Sequence, residues 1–326
     1  MVKVVLANSS YKNHMTSEGN ELQLGLAHHG WILAGYKYDN ITDVPKIIDT
    51  YHPDVILIQD KRDWDRDHPG SFGNHDLHFS HTEVLADHPE IYKIAVFKDA
   101  GSSLPYQYDH FKEIKADTLL TYYHEKAIRK LNPELNYPLI RTYHSIDKDI
   151  INSLTPTPRK DKTLISGAIG KQVYPQRTDL MLTALNHMTN GALEAYVHPG
   201  YGATRPMSPE YLQTLKSYKV SICTCSKYQF ALRKIIEATA CGCIPLTNLP
   251  TWDPLPVIDK YLVRVSMGDN SKDIIKLAEL TVDLWTPELE AEMVKDTLAY
   301  YDYRNITNIL DKNITELVIK HKEEQK

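Results

Sequence analysis

The chain is expected to be an α/β protein built from two parallel-sheet domains in series, with helices at its C-terminal end. Three observations predict this. Apolar strand-like runs alternate with helical patterns along most of the 326 residues, one stretch rich in proline and charge interrupts the alternation, and the alternation then restarts. With 42% hydrophobic and 24% charged residues the chain can bury the cores that two domains need.

The first strand is immediate, in Val2-Lys3-Val4-Val5-Leu6-Ala7. Further strands are expected at 31–36, 53–59 and 92–97, with helices between them at 16–29 and 42–51, and the pair 117–121 and 138–142 completes the first sheet. The stretch from Asp147 to Lys162 changes character, and Thr155-Pro156-Thr157-Pro158-Arg159-Lys160-Asp161-Lys162 reads as a linker. Strands then resume at 163–167, 193–197, 218–223, 243–246 and 261–265, with helices at 175–188, 208–217 and 227–240. From Ser271 onward the pattern is helical, and the terminal Lys320-His321-Lys322-Glu323-Glu324-Gln325-Lys326 reads as a frayed charged end. The expected division is a domain over 1–148, a linker over 149–162, a domain over 163–300 and a helical tail over 301–326.

Composition narrows the function classes. A formal charge of −5 argues against wholesale coating of nucleic acid and leaves room for a local basic groove. Tyrosine is abundant, with 21 residues against 5 Phe, and suits either a polar cleft or a core margin. No segment approaches a membrane span and no apolar targeting region opens the chain, so a soluble cytoplasmic protein is expected. Sequons beginning at Asn8, Asn40, Asn305 and Asn313 carry little weight without a secretion signal.

The most informative segment is Lys234-Ile235-Ile236-Glu237-Ala238-Thr239-Ala240-Cys241-Gly242-Cys243-Ile244-Pro245-Leu246. No breaker falls between Ser226 and Ala240, and Gly242 supplies the helix stop before a strand. Arg233 and Lys234 precede Glu237 by four and three residues and share its face. Basic residues near a helix start oppose the macrodipole, and a bound phosphate there would turn that penalty into a use. The alternative is a solvated charged face with a routine ion pair.

Lys234-x-x-Glu237-x-x-Ala240-x-Gly242-x-x-Pro245 resembles the donor-site signature of GT-B glycosyltransferases, in particular their group-one and spore-protein-like branches. Ser166-Gly167-Ala168 with Tyr174-Pro175-Gln176-Arg177 resembles the loop that opens the C-terminal domain of that family, and His198-Pro199-Gly200-Tyr201 a further loop of it. The motifs follow in the family's order over residues 163–250, while the N-terminal half agrees in pattern only. The resemblance implies two Rossmann-like domains facing across a cleft, with no tightly bound cofactor and a nucleotide-diphosphate sugar as donor. It implies that Glu237 accepts hydrogen bonds from the ribose hydroxyls, that Arg177, Lys234 and Arg233 face the diphosphate, and that His198, Gly200 and Tyr201 line the donor. Gly167 and Gly170 would let the backbone approach phosphate, or else form an ordinary strand-to-helix turn.

One position departs from the pattern. Many retaining members carry a glutamate eight residues before the ribose-binding one, where this chain has Gln229; an amide can hydrogen-bond a sugar hydroxyl but is no carboxylate. Ser226-Lys227-Tyr228-Gln229 also reads as a capping box, so retention or inversion stays open.

Asp99, after the strand ending in Phe97, is the candidate catalytic group. It would act as general base toward an acceptor hydroxyl in an inverting reaction, or serve as a turn cap. The segment 60–82 carries Asp60, Asp63, Asp65, Asp67, His68, His75, His78 and His81, and is read as an acceptor-facing polar excursion, with metal binding as the alternative. Because the first strand ends in Asn8-Ser9-Ser10 without an Asp-x-His, the two-metal hydrolase reading lacks its partner elements. The cysteines, Cys223, Cys225, Cys241 and Cys243, read as buried reduced thiols, or alternatively as a zinc site. His14, His124 and His144, near strand ends or loops, are further candidates, each read as structural with a catalytic role as the alternative.

The expectation is therefore a metal-independent glycosyltransferase acting on an unidentified acceptor: a small molecule, glycan, protein or modified nucleic acid. A non-catalytic nucleotide or nucleotide-sugar binding protein and a metal-dependent hydrolase are the rivals.

Overall fold

A computed structural model describes residues 1–7, 18–35, 38–59, 79–98, 104–186, 191–196 and 208–324. The chain divides into two compact units, one formed by Met1–Tyr143 with Tyr303–Lys326 and the other by His144–Asp302.

The first unit is built on β1 (Lys3–Leu6), α1 (Glu18–His28), β2 (Ile32–Ala34), α2 (Val44–Tyr51), β3 (Val55–Ile58), β4 (Tyr92–Val96), α3 (Leu104–Glu113), β5 (Thr118–Thr121), α4 (Glu125–Leu131) and β6 (Leu139–Arg141). All six strands are parallel, in the order β2-β1-β3-β4-β5-β6. Strand β3, Val-Ile-Leu-Ile, is buried at every position, as a strand covered on both faces requires. Val5, Leu57 and Ile94 meet Leu26 and Trp31 in the core.

The second unit carries α5 (Lys148–Ser153), β7 (Lys160–Ser166), α6 (Pro175–Leu185), β8 (Leu193–Tyr196), α7 (Ser208–Leu215), β9 (Tyr218–Ile222), α8 (Arg233–Ala240), β10 (Ile244–Thr247), β11 (Val263–Arg264), α9 (Ser271–Val282) and α10 (Pro287–Tyr301). Its parallel sheet runs β11-β10-β9-β7-β8, and Ile165, Val220, Ile222 and Leu246 pack with Leu180 and Ile274. The two parallel sheets are those expected from the alternation.

Three local readings differ from the sequence expectation. The helix expected over 227–240 begins only at Arg233, because Ser226 closes a turn first: its carbonyl accepts the Gln229 N–H at 2.9 Å and its hydroxyl accepts the Tyr228 N–H at 3.3 Å. Gln229 then takes a left-handed conformation, φ 61°, and Leu232 is extended. Ser226-Lys227-Tyr228-Gln229 is thus a serine-centred turn, and no helix follows it directly.

Within 149–162, α5 is capped by Asp147, whose carboxylate accepts the Asp149 N–H at 2.9 Å, and β7 already starts at Lys160. Arg159 is tied down. Its guanidinium donates to the carbonyls of Cys241 at 2.6 Å and Tyr218 at 2.8 Å and pairs with Glu290.

The charged end of the chain is also docked. Helix α11 (Tyr303–Glu324) lies on α1, with Thr307 filling the space a side chain at Gly25 would need. Asp311 accepts from Lys3 Nζ at 2.5 Å and from Trp31 Nε1 at 2.7 Å. His321 stacks edge-on against Tyr92 at 5.1 Å, and Lys322 pairs with Asp54.

Candidate functional site

In the second unit the sheet order reverses at β7: β8 lies on one side of it and β9 on the other. The carboxyl ends of β7 and β9 therefore form a topological switch point, where open α/β sheets place ligands. Ser166 ends β7 and Gly167 follows it, while Cys223 and Thr224 follow β9.

Two cations converge there. Arg177, two residues into α6 and 2% exposed, donates from Nε to Thr224 Oγ1 at 3.0 Å, from Nη2 to the Thr224 carbonyl at 2.5 Å and from Nη1 to the Ala168 carbonyl at 3.4 Å. Its guanidinium stacks 4.0 Å above the Tyr174 ring. Lys234, in the first turn of α8 and half-buried, donates from Nζ to Ser166 Oγ at 3.1 Å and toward Tyr211 OH at 3.5 Å.

Gly167 is where they meet. Its φ is +118°, which L side chains rarely adopt, and an added Cβ would lie 2.8 Å from Lys234 Cε and 2.9 Å from Arg177 Nη1. Among the described residues neither cation has a carboxylate partner; their polar contacts are hydroxyls and carbonyls. Burial is the main cause that pushes the Lys234 pKa down to about 8. Glu237 opposes that shift and the charge of Arg177 adds to it. Burial lowers the Arg177 pKa as well. No side chain caps α8, so nothing in Leu232 competes for the first N–H groups of the helix.

Glu237 lies one turn along α8. It pairs with Arg233, Nε to Oε1 at 3.1 Å, so the side chains expected at the diphosphate and at the ribose touch each other. At the far end of the helix Gly242 has φ +78°, and an added Cβ would collide with Arg159 Nη2 and lie 2.7 Å from Glu290 Cγ. Trp285 Nε1 donates to the Gly242 carbonyl at 3.0 Å, which fixes the passage from α8 to β10.

Gly167, Arg177 and Lys234 are thus brought together, with Arg233 and Glu237 on the same short helix. Asp99, His198, Gly200 and Tyr201 lie outside the described residues, as do His14, Asp60, Asp63, Asp65, Asp67, His68, His75 and His78. Of that polar segment His81 is described: it is exposed and its Nδ1 lies 2.8 Å from Asp43 Oδ1. His124 caps α4 by accepting the Lys126 N–H at 3.1 Å, and His144 is buried with Nε2 3.1 Å from the Ala231 carbonyl. Gly170 has open space where a Cβ would stand, and its N–H donates to Thr178 Oγ1 at 2.9 Å.

The four cysteines are free and buried, and burial pushes their thiols up, Cys223 to about 11 and Cys225 to about 12. Cys241 and Cys243 donate to the carbonyls of Leu212 and Leu215. Among the described residues no three His, Cys, Asp or Glu gather as metal ligands.

Sequence reading missed Tyr211. It reaches the site from α7, lies outside every motif read from the sequence, and is revealed by its contacts with Ser166 and Lys234. A cavity of about 560 Å³ lined by Tyr108, Lys112, Glu134 and Tyr137 lies in the first unit and shares no residue with this site.

Neither a protein-family model nor a curated protein sequence matches the chain. Solved structures do. AviGT4, a glycosyltransferase involved in avilamycin A biosynthesis, superposes with a TM-score of 0.58 at 13% identity over 98% of each chain. An alpha-glucosyltransferase in complex with UDP-glucose and DNA containing an abasic site gives 0.56 at 11% identity, again over 98% of each. The fold is GT-B. A glycosyltransferase from Rickettsia africae ESF-5 agrees, at 0.58 and 8% identity, over 98% of this chain and 99% of that one. The chain spans 60% and 57% of the length of two larger matched structures, those of pneumococcal GtfA and the GtfA/B complex. The three likenesses with TM-scores of 0.56 to 0.58 show the GT-B fold and do not bear out the spore-protein-like branch within it. Among the described residues no helix is long and apolar enough to cross a membrane.

Proposed function

We propose that this GT-B chain is a glycosyltransferase that takes a sugar from a nucleotide-diphosphate donor. The observation that carries the reading is the meeting of Arg177 and Lys234 at Gly167 without a carboxylate to neutralise them. Two cations held at the carboxyl ends of β7 and β9 are costly unless an anion joins them. A diphosphate has the charge and span to do so.

As the bond between the sugar carbon and the diphosphate oxygen breaks, negative charge grows on the leaving group. Arg177, Lys234 and the uncapped N–H groups of α8 would stabilise that charge with little reorganisation. Fixed protein cations can supply what a divalent metal supplies elsewhere, which favours a metal-independent transfer. Glu237, oriented by Arg233, is assigned to the ribose hydroxyls. Gly200, Tyr201 and His198 complete the proposed donor contacts on sequence grounds, and Asp99 is proposed as the base that removes the acceptor proton. Four reduced thiols support a reducing, cytoplasmic setting.

A uridine donor is the first to test, because the similar alpha-glucosyltransferase is described with UDP-glucose. Purified protein should be stabilised against heat by UDP and by at least one UDP-sugar in a donor panel. With a bound donor identified, release of UDP on addition of hydroxylated acceptors, including glycans and hydroxyl-bearing modified DNA, separates an enzyme from a binding module. Asp99→Asn should abolish that release and keep donor binding. No thermal shift with any nucleotide-sugar in folded protein would sink the proposal.

A further inference from the structure

Lys234 is oriented without being neutralised. Its Nζ contacts Ser166 Oγ at 3.1 Å and Tyr211 OH at 3.5 Å, and these two hydroxyls hydrogen-bond each other at 2.9 Å. The ammonium also stands 4.8 Å from the centre of the Tyr211 ring. Ser166 is 1% and Tyr211 8% exposed, so the triangle is walled on two sides by fixed groups. Tyr211 itself is backed by the Tyr196 ring at 5.3 Å.

A carboxylate in place of these hydroxyls would compete with an incoming phosphate for the ammonium. A hydroxyl accepts from the ammonium and leaves its charge available. Tyr211 remains a neutral phenol, since burial holds its pKa well above the ordinary value. Its OH can therefore hold the lysine at any pH where the protein works.

We infer that Tyr211, together with Ser166, is a positioning residue that holds the Lys234 side chain against Gly167, in line with Arg177. The charged and titratable groups that bear on this ammonium are Arg177 from α6, Cys223 from the end of β9, Glu237 from α8 and Tyr211 from α7. None but Tyr211 contacts it by a polar hydrogen bond, so Tyr211 is the titratable group whose removal should change how Lys234 is held.

The test has one arm that needs no ligand and one that rests on the donor reading. In protein labelled at the lysine side chains, with the Lys234 signal assigned by Lys234→Arg, the titration of Lys234 is followed by NMR in wild type, Tyr211→Phe and Ser166→Ala. Removing either acceptor should lower the proton affinity of Lys234 by about threefold, the equivalent of one ordinary hydrogen bond. Circular dichroism checks that each variant is folded, and Tyr211→Phe keeps the ring and its packing. In the second arm UDP is titrated, and both variants should bind it at least about threefold more weakly, while uridine binding is unchanged.

A Lys234 titration identical in wild type and both variants overturns the inference, whatever binds. A shifted titration with no UDP binding to wild type keeps the positioning role and removes the donor reading. UDP binding by wild type with an unmoved titration removes the positioning role alone.

Discussion

Lys234 Nζ donates to Ser166 Oγ at 3.1 Å, and this contact ties the start of α8 to the end of β7. It is the link through which the motif around Glu237 and the glycine turn after β7, some 70 residues apart in sequence, become one site. The proposed diphosphate site rests on that closure.

Gly167→Ala tests the closure by filling it. The obstructing atoms, Lys234 Cε and Arg177 Nη1, are side-chain ends that can move aside, so the fold should survive with a loss of about 1–3 kcal/mol from the left-handed backbone. Displacing both cations should cost far more in function. UDP affinity is expected to fall at least about tenfold, a loss of about 1.4 kcal/mol. Calorimetric titration beside urea unfolding separates the two effects.

The pH dependence has a definite sign. Folded Lys234 releases its proton near pH 8, whereas the unfolded chain does so near 10.5, so the unfolded state binds more protons between these values. Stability gains a contribution as pH rises through that window, and the desolvation of the ammonium weighs against the fold below it. Diphosphate binding has the opposite trend, because it needs the ammonium. UDP affinity should decline above pH 8 with proton uptake on binding, measured by titration calorimetry in buffers of different ionisation enthalpy. In Lys234→Arg that decline should vanish.

Glu237 and the cations should separate by ligand. Glu237→Gln keeps the shape, loses the charge that pairs with Arg233, and is expected to weaken UDP about tenfold while leaving inorganic diphosphate unaffected. Arg177→Ala should weaken both. Competition titration against a fluorescent nucleotide reads each case.

Gly242→Ala addresses the scaffold behind the site. The Cβ would press on the Arg159–Glu290 pair, which is itself bound to the Cys241 and Tyr218 carbonyls and backs onto Trp285. Destabilisation of more than about 1 kcal/mol is expected from the φ of +78° alone. UDP affinity measured well below the unfolding temperature should change little.

Much of the fold could be read from sequence because its strands are short apolar runs at regular spacing, and each of the eleven expected strands overlaps an observed one. What was lost was lost locally. The sequence pattern starts the helix at 227 rather than 233 because Ser226 and Gln229 are not breakers by type; a side-chain turn and a left-handed residue delay its start. Arg159 read as linker because charge beside proline looks solvated, yet its five-donor fork suits two carbonyls and a carboxylate that come from distant strands and helices. Gly167, Arg177 and Lys234 are legible as candidates because two separate stretches, Ser166–Ala168 with Tyr174–Arg177 and Lys234–Pro245, single them out. Tyr211 could not, since nothing in Glu210-Tyr211-Leu212 distinguishes a site tyrosine from a core one. The pairing of Arg233 with Glu237 follows from their four-residue spacing, which puts both side chains on one face of α8.

The most direct test of the account is titration of UDP into wild type, Lys234→Ala and Arg177→Ala, each verified as folded. Wild type should bind, and each substitution should weaken binding at least about tenfold while uridine binds all three alike. Equal UDP affinity in the three proteins, or no binding of any nucleoside diphosphate by wild type, would contradict the claim that Gly167, Arg177 and Lys234 form a diphosphate site.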